Sequence, residues 1–287
     1  MKKIKTKKRF KKENEQVMYY LLTENFKSQE QQLVALITKA VPVKRIYILG
    51  STLHTRRTES VFTPDAPSCK SAGCYYLLIL TASDEDVNVV QDKIENKARE
   101  MMPVVAIVLA AATFKTWVIK GHPFADIVSK SAVLLYQSDE EEQVTPEGVQ
   151  PVKVEKKDVI YHEANNKITE FIAGAVLYMI RKQPKLAAFM FHQAAEQCLH
   201  ALFEIKTGMY LNTHNLDKLF RYCSMVCWKL PEIFPRHNEK EERLFQLLQK
   251  AYVGGRYEKD YPITLSELEI IRKRIMDLKE VLHDFRG

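Results

Sequence analysis

Residues 184–206 constrain the fold more than any other part of the chain. As a helix, this stretch places apolar side chains three and four residues apart along one face, at Ala188, Phe191, Ala195, Cys198, Leu202 and Ile205. Gln193, Glu196 and His200 follow the same spacing at the margin of that face. The stretch therefore predicts a central helix that carries an amide, a carboxylate and an imidazole in a row where it meets its neighbours.

The helical pattern continues through the C-terminal half of the chain. Apolar stripes predict five helices, at residues 158–182, 184–206, 213–228, 238–255 and 264–285. Thr213 or Asn212 is placed to cap the third helix. The breaks between helices are marked by proline and glycine, at Pro184, Gly208, Pro231, Pro235 and Pro262. Five helices with short connections predict an all-α antiparallel bundle at residues 158–287.

The N-terminal half alternates between helix and strand patterns. Helical spacing covers residues 14–40, 84–101 and 121–130, and apolar runs predict strands at 45–49, 74–81, 103–110 and 132–136. Residues 115–119 predict a further or edge strand. Gly50 and Ser51 predict a turn after the first strand, and residues 54–73 predict a loop. This order of elements predicts an α+β domain at residues 14–138.

Charge is distributed unevenly along the chain. The net charge is +7, but the first twelve residues hold eight Lys or Arg, so the remainder is about −1. The basicity therefore belongs to a tail at residues 1–13, which either steers the protein toward phosphates or serves as a solubilising terminus. Residues 139–157 are acidic, then punctuated by Pro and Gly, and predict a linker.

Composition also limits the protein class. The five cysteines include a pair four residues apart, Cys223 and Cys227, but no second pair at ligand spacing follows, so buried reduced thiols are favoured over a metal site. The longest apolar stretch, residues 101–114, is interrupted by Pro103 and is too short to span a bilayer. We expect a cytoplasmic protein that is not bound to a membrane.

The N-terminal half resembles the minimal nucleotidyltransferases of the polymerase-beta-like superfamily. The resemblance covers residues 16–136 and rests on a strand followed by Gly50-Ser51, a loop, and an apolar strand at residues 77–80. In that family Gly-Ser lets the backbone approach nucleotide phosphates, and paired carboxylates on the next strand hold two metal ions. The resemblance thus implies nucleotide binding at Gly50 and Ser51.

The carboxylates of that family are absent here. Cys74 and Tyr76 stand where the two aspartates would be, and neither supplies a carboxylate oxygen for magnesium. Asp84 and Asp86 open the next predicted helix, where they complement its dipole. We therefore expect a nucleotidyltransferase-like domain without catalytic metals, with magnesium as a cofactor only if this domain is active.

The C-terminal half resembles the HEPN family of helical bundles, named for higher eukaryotes and prokaryotes nucleotide binding. The matching segments lie in order at residues 191–203, 213–220 and 251–261, and the resemblance covers residues 158–286. Such a bundle paired with a minimal nucleotidyltransferase is a known arrangement of toxin–antitoxin type. The resemblance implies a homodimer formed through the bundle.

Ribonucleases of that family use an Arg followed, four to six residues later, by a His. Arg256 is present here, but Tyr261 stands five residues on, and a phenol is a poor general base at neutral pH. His214 is the alternative partner for Arg256 if the domain is active, although a residue at a helix start more often bonds to backbone. Gly254 and Gly255 predict either a kink that ends the fourth helix or the close approach of another backbone or a phosphate.

Three functions remain open from the sequence alone. The first is a non-catalytic protein that binds nucleotide or RNA, with Gly50, Ser51, Arg256, Tyr257, Tyr261 and Glu196 as candidate ligand-binding residues. The second is an active nuclease or nucleotidyltransferase with substitute residues such as Arg256 and His214. The third is a dimeric scaffold or antitoxin-like partner, in which Arg256 pairs with Glu196 between helices.

Overall fold

The computed structural model describes residues 29–56, 69–138 and 156–286. The contacts divide the chain into two compact units, the first made of Met1–Val118 with Val128–Pro146 and the second of Ile119–Ile127 with Glu147–Gly287. The predicted basic tail, the linker except its last two residues, and the first half of the helix predicted at residues 14–40 lie outside the described residues.

The first half of the described chain carries a mixed four-stranded sheet in the order β3-β2-β1-β4. Strand β1 is antiparallel to both β2 and β4, whereas β2 and β3 are parallel. The elements are α1 (residues 29–40), β1 (Val43–Arg56), β2 (Cys69–Thr81), α2 (Val87–Ala98), β3 (Val104–Ala110), α3 (Ala111–Ile119), α4 (Pro123–Ser131) and β4 (Val133–Gln137). A small mixed sheet with helices confirms the predicted α+β class for this part of the chain.

Burial explains why β2 and β3 have continuous apolar sequences. Residues 75–80 of β2 and 104–108 of β3 are all buried, so both faces of the sheet are covered along these two strands. The core cluster joins these strands to α1 and α2 through side chains such as Leu33, Ile37, Ile94 and Ala98. Asp86, predicted to lie in the first turn of this helix, instead caps α2 by accepting from the backbone N–H of Asn88 at 2.8 Å.

Three local predictions for the N-terminal half are corrected by the structure. Gly50 and Ser51 do not form a turn, because β1 continues through them to Arg56, with Gly50 opposite Tyr76 and Ser51 opposite Tyr75. The register shifts between Ile48 and Gly50, so the glycine marks a bulge inside a longer hairpin. Residues 54–56 and 69–73, predicted as loop, belong to β1 and β2, and the rest of the predicted loop lies outside the described residues.

The stretch predicted as a further strand, residues 115–119, belongs instead to helix α3 (Ala111–Ile119). Phe114 and Val118 are buried four residues apart, on one helical face. Ala111 and Ala112 at the start favour helix, and this longer context outweighs the β-branched residues at its end.

The second half of the described chain is helical. It contains α5 (Lys156–Ile180), α6 (Pro184–Thr207), α7 (Leu216–Val226), the short α8 (Leu230–Ile233), α9 (Glu239–Tyr257) and α10 (Leu265–Asp284). Helix α6 packs against α5, α7, α9 and α10 and is therefore the central element of the bundle. Its predicted apolar face, Ala188, Phe191, Ala195, Cys198, Leu202 and Ile205, is entirely buried.

The helix ends follow local capping chemistry, with two corrections. Asn215 caps α7 by accepting from the N–H of Lys218 at 3.0 Å, so the predicted caps Thr213 and Asn212 are wrong. Thr264 begins α10 with a capping box shared with Glu267. Helix α9 continues through Gly254 and Gly255 to Tyr257, so the glycines do not end it.

Within the described residues, no helix has the combined length and apolarity needed to cross a bilayer.

Candidate functional site

The guanidinium of Arg256 lies on the surface at the end of α9 and is fixed by its own helix and by aromatic rings. Its Nε donates to the backbone oxygen of Tyr252 at 2.6 Å. Its Cζ lies 4.2 Å from the ring centroid of Tyr252, 4.9 Å from that of Tyr257 and 5.1 Å from that of Phe189. Such cation–π contacts hold the charged group in one place without neutralising it.

The environment of Arg256 differs from that of most arginines in the bundle. The others are mostly paired with carboxylates, namely Arg221, Arg236, Arg243, Arg272, Arg274 and Arg286. In the described part of the chain, Arg256 has no carboxylate partner. Its terminal nitrogens therefore remain available for an anion that approaches from solvent.

Glu196, on the central helix α6, is 3% exposed and is held by two histidines. Its Oε1 accepts from Nδ1 of His214 at 3.0 Å, and its Oε2 lies 3.4 Å from Nε2 of His192. The second contact does not have the geometry of a hydrogen bond. Burial raises the pKa of Glu196, but the contacts and charges of His192 and His214 outweigh burial and hold this pKa below its ordinary value.

The predicted pairing of Arg256 with Glu196 is therefore wrong. The carboxylate bonds to imidazoles, while Arg256 bonds to a backbone carbonyl one turn earlier in its own helix. The predicted row of polar groups on α6 is present in part, since the amide of Gln193 reaches Glu196 Oε2 at 3.5 Å.

His192 is the residue that the sequence interpretation missed. It is fully buried, and its Nδ1 donates to the carbonyl of Leu248 on α9 at 3.0 Å. The available signal was its spacing of four residues from Glu196, which places the two groups on the same side of α6.

His214 does not bond to backbone as its position near a helix start suggested. It donates from Nδ1 to Glu196, and its ring stacks on that of Tyr252 with centroids 5.5 Å apart and planes at 7°. Because Arg256 rests on the same Tyr252 ring, the structure brings His214 and Arg256 to one aromatic side chain.

The residues between α6 and α7 are fastened to the bundle by a second histidine. His200 is buried, donates from Nε2 to the carbonyl of Thr213 at 3.1 Å, and stacks on Tyr210 with centroids 4.8 Å apart. Burial lowers the pKa of His200, against the raising effects of Glu196 and the Thr213 carbonyl. His200 is therefore a core group that fixes the connection, rather than a residue at the helix margin.

Gly255 permits a close approach between two backbones, which is one of the alternatives that the sequence left open. A Cβ added there would lie 2.8 Å from the carbonyl oxygen of Lys185 and 3.1 Å from Cβ of Phe189. The glycine thus lets the start of α6 lie directly against the end of α9. This contact places the Phe189 ring beside Arg256.

The structure separates the two candidate tyrosines. Tyr257 is 72% exposed, whereas Tyr261 is buried and donates its hydroxyl to the carbonyl of Leu247. Burial, followed by the charges of Glu267 and Glu258, raises the pKa of Tyr261 above its ordinary range. Only Tyr257 therefore presents its ring beside Arg256 on the surface.

In the other unit, the candidate residues Gly50 and Ser51 lie in strand β1 beside β2. The Tyr76 ring lies over Gly50, since a Cβ added to this glycine would be 3.8 Å from Cδ2 of Tyr76. Burial, and to a smaller extent Cys74, raises the pKa of Tyr76 to about 12. Within residues 29–56, 69–138 and 156–286, no group of three or more His, Cys, Asp or Glu side chains is arranged to hold a metal ion.

Comparison with known proteins bears on the bundle alone. A search of curated proteins found no match to the chain. The family model described as the HEPN domain matches residues 169–285, which include α6, α7, α9, α10 and every residue of the Arg256 and Glu196 contacts described above. The predicted HEPN resemblance is thus confirmed, and the chain carries a HEPN domain at residues 169–285.

Proposed function

We propose that the HEPN domain binds nucleotide or RNA through the surface formed by Arg256, Tyr252 and Tyr257, without cleaving it. One observation carries the proposal: the guanidinium of Arg256 is fixed by a carbonyl and three aromatic rings instead of a carboxylate. Because the guanidinium is already held in place, it loses little conformational entropy when its N–H groups bind a phosphate. The exposed Tyr257 ring adds a face on which a base stacks.

The proposal for the N-terminal unit is a nucleotidyltransferase-like domain that has lost catalysis. It is supported by Cys74 and Tyr76 at the positions where that family has aspartates. The closeness of Tyr76 to Gly50 adds support, because the ring occupies the strand face on which the family's metal ligands stand. The family assignment of this unit rests on the sequence resemblance.

Binding through Arg256 is tested with a matched pair of variants in the full-length chain. Arg256→Ala removes the fixed guanidinium, whereas Arg181→Ala removes an exposed arginine with no ion pair or ring contact among the described residues. Fluorescence anisotropy with a labelled RNA should show a loss of about 1–3 kcal/mol for Arg256→Ala only. The slope of log K against log salt should fall by about 0.7, the value for one phosphate contact on a single strand.

Thermal unfolding separates binding from structure in this experiment. Arg256 is exposed and leaves no buried carboxylate unpaired when it is removed, so the melting temperature should hardly change. If Arg256→Ala and Arg181→Ala bind RNA equally well, Arg256 is not the phosphate site and the proposal fails.

One observation favours a second function, the cleavage of RNA without a metal ion. Glu196 accepts from Nδ1 of His214 and so orients its imidazole, while Nε2 has no hydrogen-bond partner among the described residues. In this reaction Nε2 takes the proton of a 2′-hydroxyl, whose oxygen attacks the adjacent phosphorus as the bond to the 5′-oxygen breaks. The leaving oxygen takes a proton from water, and a 2′,3′-cyclic phosphate and a 5′-hydroxyl result.

Cleavage is measured on labelled RNA in the presence of a chelator, with an all-2′-deoxy strand as the control substrate. If this second function holds, the wild type cuts RNA but not the control, and His214→Ala abolishes cutting while binding remains. Intact RNA after prolonged incubation with the wild type would eliminate cleavage and leave binding alone.

A further inference from the structure

Two exposed tyrosines lie at the ends of a series of contacts that runs through Arg256, Tyr252 and His214. Tyr257 is 72% exposed beside Arg256, and Tyr210, in the connection between α6 and α7, is 62% exposed. Single exposed aromatic rings are common on protein surfaces, so exposure alone does not mark a binding site. The contacts of the two rings and their positions relative to Arg256 therefore determine which ligand this surface can bind.

The Tyr210 ring is supported on one face although it is exposed. One face stacks on His200 at 4.8 Å with planes at 10°, and His200 is itself buried and bonded to the carbonyl of Thr213. The opposite face has no ring contact among the described residues. An aromatic ring fixed on one face and open on the other is suited to stacking against a planar ligand.

A continuous series of contacts links Tyr210 to Arg256. Arg256 rests on Tyr252, and Tyr252 stacks on His214. The residue before His214 is Thr213, whose carbonyl is bonded to the histidine that supports Tyr210. The charge of Glu196, which holds His214, also raises the pKa of Tyr210, although burial contributes more. Tyr210 and Arg256 thus belong to one neighbourhood of the bundle surface.

We infer that the ligand of this surface is a single-stranded nucleic acid and that Tyr210 is a second stacking site, on which a base beyond the phosphate bound by Arg256 rests. This inference rests on the proposed function and names its substrate class. Bases in a duplex have their faces covered by their neighbours, so they cannot stack on protein rings. Unpaired bases can, and rings combined with a cation are the usual means of binding a single strand.

The charges of the region favour the same ligand. Arg256 contributes one unpaired guanidinium, whereas the carboxylates of Glu204 and Glu258 act on the neighbouring tyrosines Tyr210 and Tyr261. A duplex backbone requires several cations along two rows of phosphates, whereas Arg256 is the one cation among the four side chains Arg256, Tyr252, Tyr257 and Tyr210 of this surface. Most of the affinity must therefore come from stacking.

The test compares three ligands, namely a single-stranded RNA of about eight nucleotides, the same RNA as a duplex, and a mononucleotide. Four variants of the full-length chain are used: Tyr210→Ala, Tyr210→Phe, Arg256→Ala and Trp228→Ala. Trp228 is the matched control, since it is 73% exposed but lies beyond the far end of α7. Melting temperatures verify that each variant folds.

The expected pattern is specific to a second stacking site. Tyr210→Ala should weaken binding of the single strand about tenfold or more and leave the mononucleotide unaffected, because only the longer ligand reaches both sites. Tyr210→Phe should bind like the wild type, since it keeps the ring. Trp228→Ala should also bind like the wild type. A DNA strand of the same sequence shows whether the ligand is RNA or any single strand.

The inference is overturned if Tyr210→Ala binds the single strand as the wild type does, if the duplex binds as tightly as the single strand, or if Trp228→Ala causes an equal loss. It can also be separated from the proposed function. A loss in Tyr210→Ala with none in Arg256→Ala would refute the phosphate site and retain stacking. The reverse result would retain the phosphate site and refute the second stacking position.

Discussion

Replacement of Gly255 by alanine should destabilise the bundle, although alanine is normally the better residue in a helix. The added Cβ would lie 2.8 Å from the carbonyl oxygen of Lys185, which is backbone and cannot rotate away, and 3.1 Å from Cβ of Phe189. Relief of this overlap requires α6 and α9 to separate by several tenths of an ångström along a contact between two long helices.

The magnitude follows from two opposing effects. Alanine gains at most about 1 kcal/mol over glycine from helix propensity. Overpacking of a close helix contact costs about 1–3 kcal/mol. We therefore expect Gly255→Ala to lower the free energy of unfolding by up to about 2 kcal/mol. It should also weaken RNA binding, because the displaced Phe189 no longer supports the guanidinium of Arg256.

Gly174 provides the matched control, since it lies inside helix α5 of the same bundle. Its added Cβ would be 3.6 Å from the sulfur of Met190, an ordinary contact with a flexible side chain. Gly174→Ala should therefore be neutral or stabilise the protein by up to about 1 kcal/mol. Urea unfolding followed by far-ultraviolet circular dichroism measures both variants against the wild type.

The difference in stability between Gly255→Ala and Gly174→Ala tests whether α6 and α9 approach closely at Gly255. If Gly255→Ala proves as stable as Gly174→Ala, the backbones of α6 and α9 do not approach at Gly255. A close approach of the two helices would then not be what holds Phe189 beside Arg256.

Three further predictions concern buried groups. Burial lowers the pKa of His200, so the unfolded chain takes up a proton near pH 6.5 and the folded chain only at lower pH. Stability should therefore fall as the pH drops below about 6.5, and His200→Phe should lose less between pH 7 and 5 in urea unfolding. Tyr261→Phe removes a buried hydrogen bond to Leu247 and should cost about 1 kcal/mol with unchanged RNA affinity, measured by unfolding and anisotropy. Tyr76→Asp places a carboxylate at a buried position of β2 and should cost several kcal/mol, seen as protease sensitivity of the N-terminal unit, without gain of magnesium-dependent nucleotide transfer. A stable variant that transfers nucleotide would contradict the last prediction.

The sequence determined the long helices and the buried face of α6, because both follow from local periodicity. Side chains three and four residues apart share a helix face whatever the helix packs against, so Phe191, Cys198 and Leu202 had to be buried together. The cap of α10 is equally local, since Thr264 and Glu267 satisfy backbone groups within one turn. The matching HEPN segments lie on these helices, and they could therefore be recognised from the sequence.

The sequence-based predictions of secondary structure and caps were wrong where contacts with other segments determine the local structure. Strand β1 runs through Gly50 because β2 offers partners opposite it, and strand pairing depends on residues distant in sequence. Asn212, Thr213 and Asn215 are all capping residues within one turn, so the sequence could not choose among them. The carbonyl of Thr213 bonds to His200 and His214 bonds to Glu196, and these contacts hold the chain extended until Asn215.

Only the tertiary structure decided the composition of the site. Arg256 and Glu196 were both candidates, but the fold gives the carboxylate to His192 and His214 and the guanidinium to Phe189, Tyr252 and Tyr257. These partners come from α6, α9 and the connection between α6 and α7, and their meeting depends on how closely Gly255 lets α9 approach α6. Spacing along one helix predicts which residues share a face, whereas the pairing of charges across helices depends on rotation and distance between them. The physical reason is that periodicity is a property of a single segment, whereas a site built from three segments depends on how those segments pack together.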